Sequence, residues 1–150
     1  GYDFEYRIVG GGIENERIAY AIHQLNLQDK VFLLGKMDRD KVVKEYAQSH
    51  LFIQYSISEG FCNAVLEAQS MGLLCIVSDA EGLSENVIHH KTGWVVPKYQ
   101  PEALATKMIE IFELSELEKQ QISQNAINRV KNLFTIEQQQ LSFVNFYKGS

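Results

Sequence analysis

The chain has 150 residues, 45% hydrophobic and 22% charged, the statistics of one globular domain that buries about 70% of its unfolded surface. Sixteen aromatic residues against two prolines exclude a disordered chain, and no apolar run approaches the roughly 18 residues of a membrane helix. A formal charge of −5, with no cluster of lysine and arginine, sets nucleic acid aside as a partner, because phosphate backbones select positive surfaces. A small phosphate ligand stays open, held by local groups such as the free amides of a helix start.

The run Tyr6 to Val9 is apolar and β-branched and ends in the breaker cluster Gly10 to Gly12, so a strand and a turn are expected. Glu14 to Leu27 carries Ile18, Ile22 and Leu25 at helical spacing, and Val31 to Gly35 reads as the next strand. The alternation continues with a helix at Asp38 to Ser49, a strand at Leu51 to Tyr55, a helix at Asn63 to Met71 and a strand at Leu74 to Ser78. A short helix is expected over Leu83 to His89, then a last strand, Trp94 to Val96, ended by Pro97. Pro101 suits a first helical turn and opens a helix through Phe112; further helices are expected at Leu117 to Leu133 and Ile136 to Tyr147. Strands alternating with helices imply parallel pairing in a doubly wound α/β sheet with helices on both faces and a helical tail.

The two cysteines, Cys62 and Cys75, fall at a helix start and in a buried strand, which is not a disulfide framework, and no basic-then-apolar leader precedes them. A cytoplasmic setting is expected, with peripheral attachment to a membrane left open for a longer parent protein.

The chemistry concentrates in Ser56 to Gly72, SISEGFCNAVLEAQSMG, directly after a strand and therefore at the sheet edge where open α/β folds hold ligands. Gly60 allows a close turn, Asn63 is a plausible helix cap, and the first-turn amides would face a ligand above the strand ends. Such a position stabilises an anion by about 0.3 to 1 kcal/mol. Glu59 and Glu67 bracket the turn. Glu67 stands among Ala64, Val65, Leu66, Ala68 and Met71, so it is expected on a largely buried helix, where a carboxylate needs donors such as ribose hydroxyls.

These residues resemble the carboxyl-terminal domain of the family-four glycosyltransferases, the "glycosyl transferases group 1" class with the GT-B fold. The family hallmark, a Glu, seven residues and a second Glu, is commonly SEGFPNVLLEAMACG; Ser58 to Gly72 reads SEGFCNAVLEAQSMG. The likeness continues in IVGGG at Ile8 to Gly12, VFLLGKM at Val31 to Met37, KTGWVVP at Lys91 to Pro97 and PEALA at Pro101 to Ala105.

The resemblance implies a retaining, metal-independent transfer from a nucleoside-diphosphate sugar, with no cofactor. It places Glu59, Gly60, Phe61, Cys62 and Asn63 at the donor sugar, with Glu59 as the catalytic-site carboxylate that positions it. Glu67 corresponds to the acceptor of ribose hydroxyl bonds. Val65 and Leu66 lie beside diphosphate and ribose, and Lys36 and Met37 where the family's chain passes the base. It further implies that the first strand and helix of this domain, with their phosphate-gripping Arg and Lys, and the whole acceptor-binding domain are absent from these 150 residues. In the strand order 3-2-1-4-5-6, Tyr6 to Val9 and Leu51 to Tyr55 would then flank a missing central strand, which self-association could fill. Such a piece is expected to bind donor weakly and to transfer no sugar.

Two departures stand out. Glu81-Gly82-Leu83-Ser84-Glu85 replaces the family's GG-x-PE, and Cys62 occupies a place where Gly or Pro is more usual. Other readings of single features are weaker. Gly10 to Gly12 lacks the third glycine of a dinucleotide fingerprint. Cys62 has no sequence-near histidine to make it a nucleophile, and His89 and His90, if helical, would point apart. Asp38-Arg39-Asp40 has Asp-x-Asp spacing but reads as a cap and surface pair. The rival functions are a sugar-nucleotide epimerase of the same architecture and a noncatalytic nucleotide- or protein-binding module.

Overall fold

A computed structural model describes residues 2–135 and 138. The elements are α/β in strict alternation: β1 (Tyr6–Val9), α1 (Asn15–Gln24), β2 (Val31–Gly35), α2 (Arg39–Gln48), β3 (Leu51–Gln54), α3 (Asn63–Ser70), β4 (Leu74–Ser78), α4 (Leu83–Asn86) and β5 (Trp94–Val96). Two helices follow, α5 (Pro101–Glu113) and α6 (Glu116–Leu133). The helix expected over Ile136 to Tyr147 lies outside the described residues.

Every strand pair is parallel, as the alternation requires, and the strands form two sheets, β1-β2 and β3-β4-β5. Within each sheet the neighbours are those of the order anticipated from the sequence. Among the described residues β1 pairs on one side only, with β2, and β3 on one side only, with β4, so within them each keeps one edge without a strand partner. The chain divides into two compact units, 1–45 and 46–150, with the boundary inside α2.

The first unit is lightly buried: α1 has no buried residue. Its helix stops at Gln24, three residues short of expectation, because the chain turns at Asn26 with φ 53°. Leu25, expected on the apolar face, is consequently the exposed C-cap. Asp38 caps α2, accepting from the Lys41 amide at 3.0 Å and pairing with Lys41 Nζ at 3.1 Å.

The second unit holds the core. β4, paired on both sides, is buried along its whole length. Leu74, Ile76, Trp94, Val96 and Ile111 form a cluster onto which Leu51, Ile53, Leu104, Met108 and Ile122 pack. Each large aliphatic side chain fully removed from water contributes about 1.5 to 3 kcal/mol. Pro101 opens α5, and Ser115 starts α6 with a reciprocal capping box: its hydroxyl accepts from the Glu118 amide while Glu118 accepts from the Ser115 amide. Ser123 Oγ donates to the Gly72 carbonyl at 2.7 Å, tying α6 to the end of α3.

Candidate functional site

In a parallel sheet all strands end on the same edge, so the segments after β3 and β4 meet there. The β3–α3 segment is braced along its length. Ser78 Oγ donates to the Ser56 carbonyl at 2.5 Å, Lys98 Nζ to the Ile57 carbonyl at 3.4 Å, and Tyr55 Oη to the Pro97 carbonyl at 2.8 Å. Gly82, at φ 75°, lies against the Gly60–Phe61 peptide.

Glu59 is half-buried. Its Oε2 accepts from Ser56 Oγ at 3.3 Å and from Gln54 Nε2 at 3.5 Å, and Gln54 Nε2 also donates to Ser56 Oγ at 2.9 Å. The end of β3 therefore orients this carboxylate, which can accept further bonds from a polyhydroxyl ligand.

The cap of α3 is Cys62 rather than the expected Asn63, which is the first helical residue and exposed; the Cys62 side chain itself makes no capping bond. The carboxamide of Asn86 takes the capping role from a distance. Asn86 Oδ1 accepts from the Cys62 amide at 3.0 Å and Nδ2 donates to the Cys62 carbonyl at 3.3 Å. The following first-turn amides have no partner within the helix and point toward the carboxyl edge, where they suit an anion.

Glu67 is exposed, on a helix that is buried along one side and not, as expected, over most of its circumference. The reason is the phase of α3. Val65, Leu66, Ala68 and Gln69 turn inward, which leaves Asn63, Glu67 and Ser70 in one outer row. Buried Tyr46 stands beside Glu67, its hydroxyl 3.4 Å from the Ala64 carbonyl. Burial first, and then the charge of Glu67, push that phenol up to about 12.

Val65 is fully buried and Leu66 nearly so, so a ligand could meet these two positions only through their backbone. Phe61 is exposed and touches Phe134 with ring centroids 5.4 Å apart. Lys36 and Met37 follow β2 in the first unit; the Lys36 stem runs past Gly11, where an added Cβ would lie 3.2 Å from Lys36 Cγ. Sequence reasoning missed Gln54, Ser56, Tyr46, Asn86 and Arg129. Only Gln54 and Ser56 carried a local signal, Gln54 as a polar residue in an apolar strand and Ser56 as the first residue of the segment that follows it.

His89 and His90 do not lie on a helix. α4 ends at Asn86, His90 has φ 63°, and the two rings meet edge to face at 3.9 Å. Among the described residues no group of three or more His, Cys, Asp or Glu side chains is arranged to hold a metal ion. No helix among them is long and apolar enough to cross a membrane.

Comparison with known proteins places this geometry in context. The amylovoran biosynthesis glycosyltransferase AmsK of Erwinia amylovora is 28% identical over 114 residues, covering 72% of this chain and 28% of the relative. A glycosyltransferase crystal structure from Rickettsia africae superimposes with a TM-score of 0.89 at 29% identity, covering 97% of this chain and 40% of the other. Anabaena Alr3699/HepE, solved with UDP-glucose, shares the fold with a TM-score of 0.83 at 22% identity over 93% of this chain and 40% of its own. This chain thus spans less than half the length of each. Residues 1–129 match the model of one family, and the chain belongs to that family, the glycosyl transferases group 1.

Proposed function

We propose that the chain binds the nucleoside-diphosphate sugar donor of a retaining glycosyltransferase. The observation that carries this reading is the braced loop from Ser56 to Cys62, which holds Glu59 at the carboxyl edge immediately before the start of α3, in a chain of this family. Glu59 orients the donor sugar through its hydroxyls, and the first-turn amides of α3 receive the diphosphate. Glu67, on the outer row of the same helix, accepts from the ribose. No metal ion takes part in donor binding. Support for a uridine nucleotide comes from Anabaena HepE, whose structures hold UDP and UDP-glucose. Retention follows from same-face attack assisted by the departing phosphate, with Glu59 positioning rather than forming a covalent bond. The acceptor site belongs to a longer protein, and these 150 residues alone transfer no sugar.

The test is a thermal and calorimetric titration of the chain with UDP, GDP, ADP and their glucose conjugates, with and without chelator. A ligand at a hundred times its dissociation constant should stabilise the fold by about 2.7 kcal/mol. Absence of any shift with all six ligands overturns the reading, and loss of binding with chelator overturns its metal-free part.

A further inference from the structure

Asn86 has no solvent exposure, yet its carboxamide spends both polar functions on the main chain of one residue: Oδ1 on the Cys62 amide and Nδ2 on the Cys62 carbonyl. Its own carbonyl is in turn fixed from α6. Arg129 Nη1 donates to the Asn86 carbonyl at 3.0 Å and Nη2 to the Glu85 carbonyl at 2.7 Å. The same guanidinium lies 4.8 Å from the centre of the Phe134 ring, and Phe134 packs on Phe61, next to Cys62 in the chain. Two independent routes therefore run from Arg129 to the residues at the start of α3, one polar through Asn86 and one through stacked rings.

From this geometry we infer that Asn86 and Arg129 are positioning residues for the donor loop: they set the backbone of Cys62, and through it the direction in which the first-turn amides of α3 point. The inference rests on the donor-binding reading above. The physical argument is one of preorganisation. Amides aimed at a phosphate act strongly only if they are already in place, because the cost of ordering them otherwise comes out of the binding energy. A side-chain amide matches a peptide's donor and acceptor as no other side chain but glutamine's does, and the longer glutamine stem does not fit where Asn86 is wholly enclosed. Arg129 fits its place by shape as well as charge, since its planar fork reaches two carbonyls at once, where a lysine offers a single compact cation. Residue 62 must keep its amide for this device: a proline there would have no N–H to give to Asn86, whereas cysteine has one.

The experiment compares the unaltered chain with Asn86→Ala, Arg129→Ala, Arg129→Lys and a core control, Ile111→Val. UDP, GDP and ADP affinities are measured by calorimetry, folding by circular dichroism and Tm, and exchange of the Cys62 amide by NMR. Asn86→Ala should remain folded, exchange the Cys62 amide at least tenfold faster and bind nucleotide at least tenfold more weakly. Arg129→Ala should lose a similar factor and Arg129→Lys recover part of it, while Ile111→Val lowers Tm with affinity intact. Should Asn86→Ala fail to fold, the two Arg129 variants decide. Folded variants with unaltered affinity, or an affinity loss that Ile111→Val reproduces at equal loss of Tm, overturn the inference while the donor-binding reading stands. Failure of the unaltered chain to bind any of the three nucleotides overturns both.

Discussion

A Cβ added to Gly82 would lie 2.5 Å from the carbonyl carbon and oxygen of Gly60, and Gly82 has φ 75°, whereas a Cβ added to Gly60 would meet nothing within 4 Å. The two glycines in contact are thus unequal. Gly82→Ala combines a left-handed alanine with a clash against backbone that cannot yield alone, and should cost about 2 to 4 kcal/mol of stability, or about 5 to 12 °C in Tm. Gly60→Ala should change stability by less than about 0.5 kcal/mol, yet weaken donor binding by placing a methyl on the loop face. Differential scanning calorimetry beside nucleotide titration checks both halves; equal Tm losses would contradict the asymmetry.

Glu67 stands on the outer row of α3, so replacing it should separate binding from folding. Glu67→Ala is expected to cost about 1.5 to 3 kcal/mol of nucleotide affinity, the size of one charged hydrogen bond, with Tm within about 2 °C of the unaltered chain. An unchanged dissociation constant would remove Glu67 from the site.

The two thiols should differ sharply. Cys75 is fully buried, and burial pushes its thiol far up; Cys62 is half-exposed at the start of α3. One thiol per native chain should react with maleimide, and saturating nucleotide should slow that reaction at least threefold. Two reactive thiols, or a rate indifferent to nucleotide, would count against this arrangement.

His89 gives the second unit a dependence on pH. Burial, then the neighbouring His90 and Lys107, hold its imidazole below the usual range, and its Nδ1 accepts from the Val95 amide at 2.9 Å, which only the unprotonated nitrogen can do. The unfolded chain therefore binds the proton more readily. The contribution is complete above the ordinary histidine pKa of about 6.5 and is lost as pH falls through that value toward the lower folded one. His89→Asn keeps an acceptor without the titration, and should flatten the fall in Tm between pH 7 and 5. An identical profile in both chains would assign the fall elsewhere.

Strand and helix alternation was legible because each strand is a short, largely apolar run closed by glycine, proline or a polar residue. The capping box at Ser115 and Glu118 carried its full signal in the spacing Ser-x-x-Glu, although the sequence reading started that helix one residue later. The site was legible as a segment, not as a surface. The apolar neighbours of Glu67 suggested a helix buried over most of its circumference, yet Glu67 stays exposed and it is polar Gln69 that turns in, fully buried and donating to the Thr92 carbonyl at 3.1 Å. That bond reaches a residue 23 positions away, and no local pattern records it. The same holds for the cap. Asn63 looked like the cap because its side chain suits one, but the main chain of Cys62 is held by an asparagine 24 residues downstream, whose own carbonyl is held by an arginine 43 residues beyond that. Side chains that work through long-range bonds to backbone leave no periodic trace.

Because both hydrogen bonds of the Asn86 carboxamide to residue 62 go to its main chain, they do not depend on what side chain stands there. Residue 62 is therefore open to neutral drift: serine, alanine or glycine should pass unnoticed by the loop, and only proline should not. That tolerance is bought at residue 86, where almost no exchange is permitted. Relatives of this chain should accordingly vary at the first position and hold asparagine at the second wherever the first is not proline.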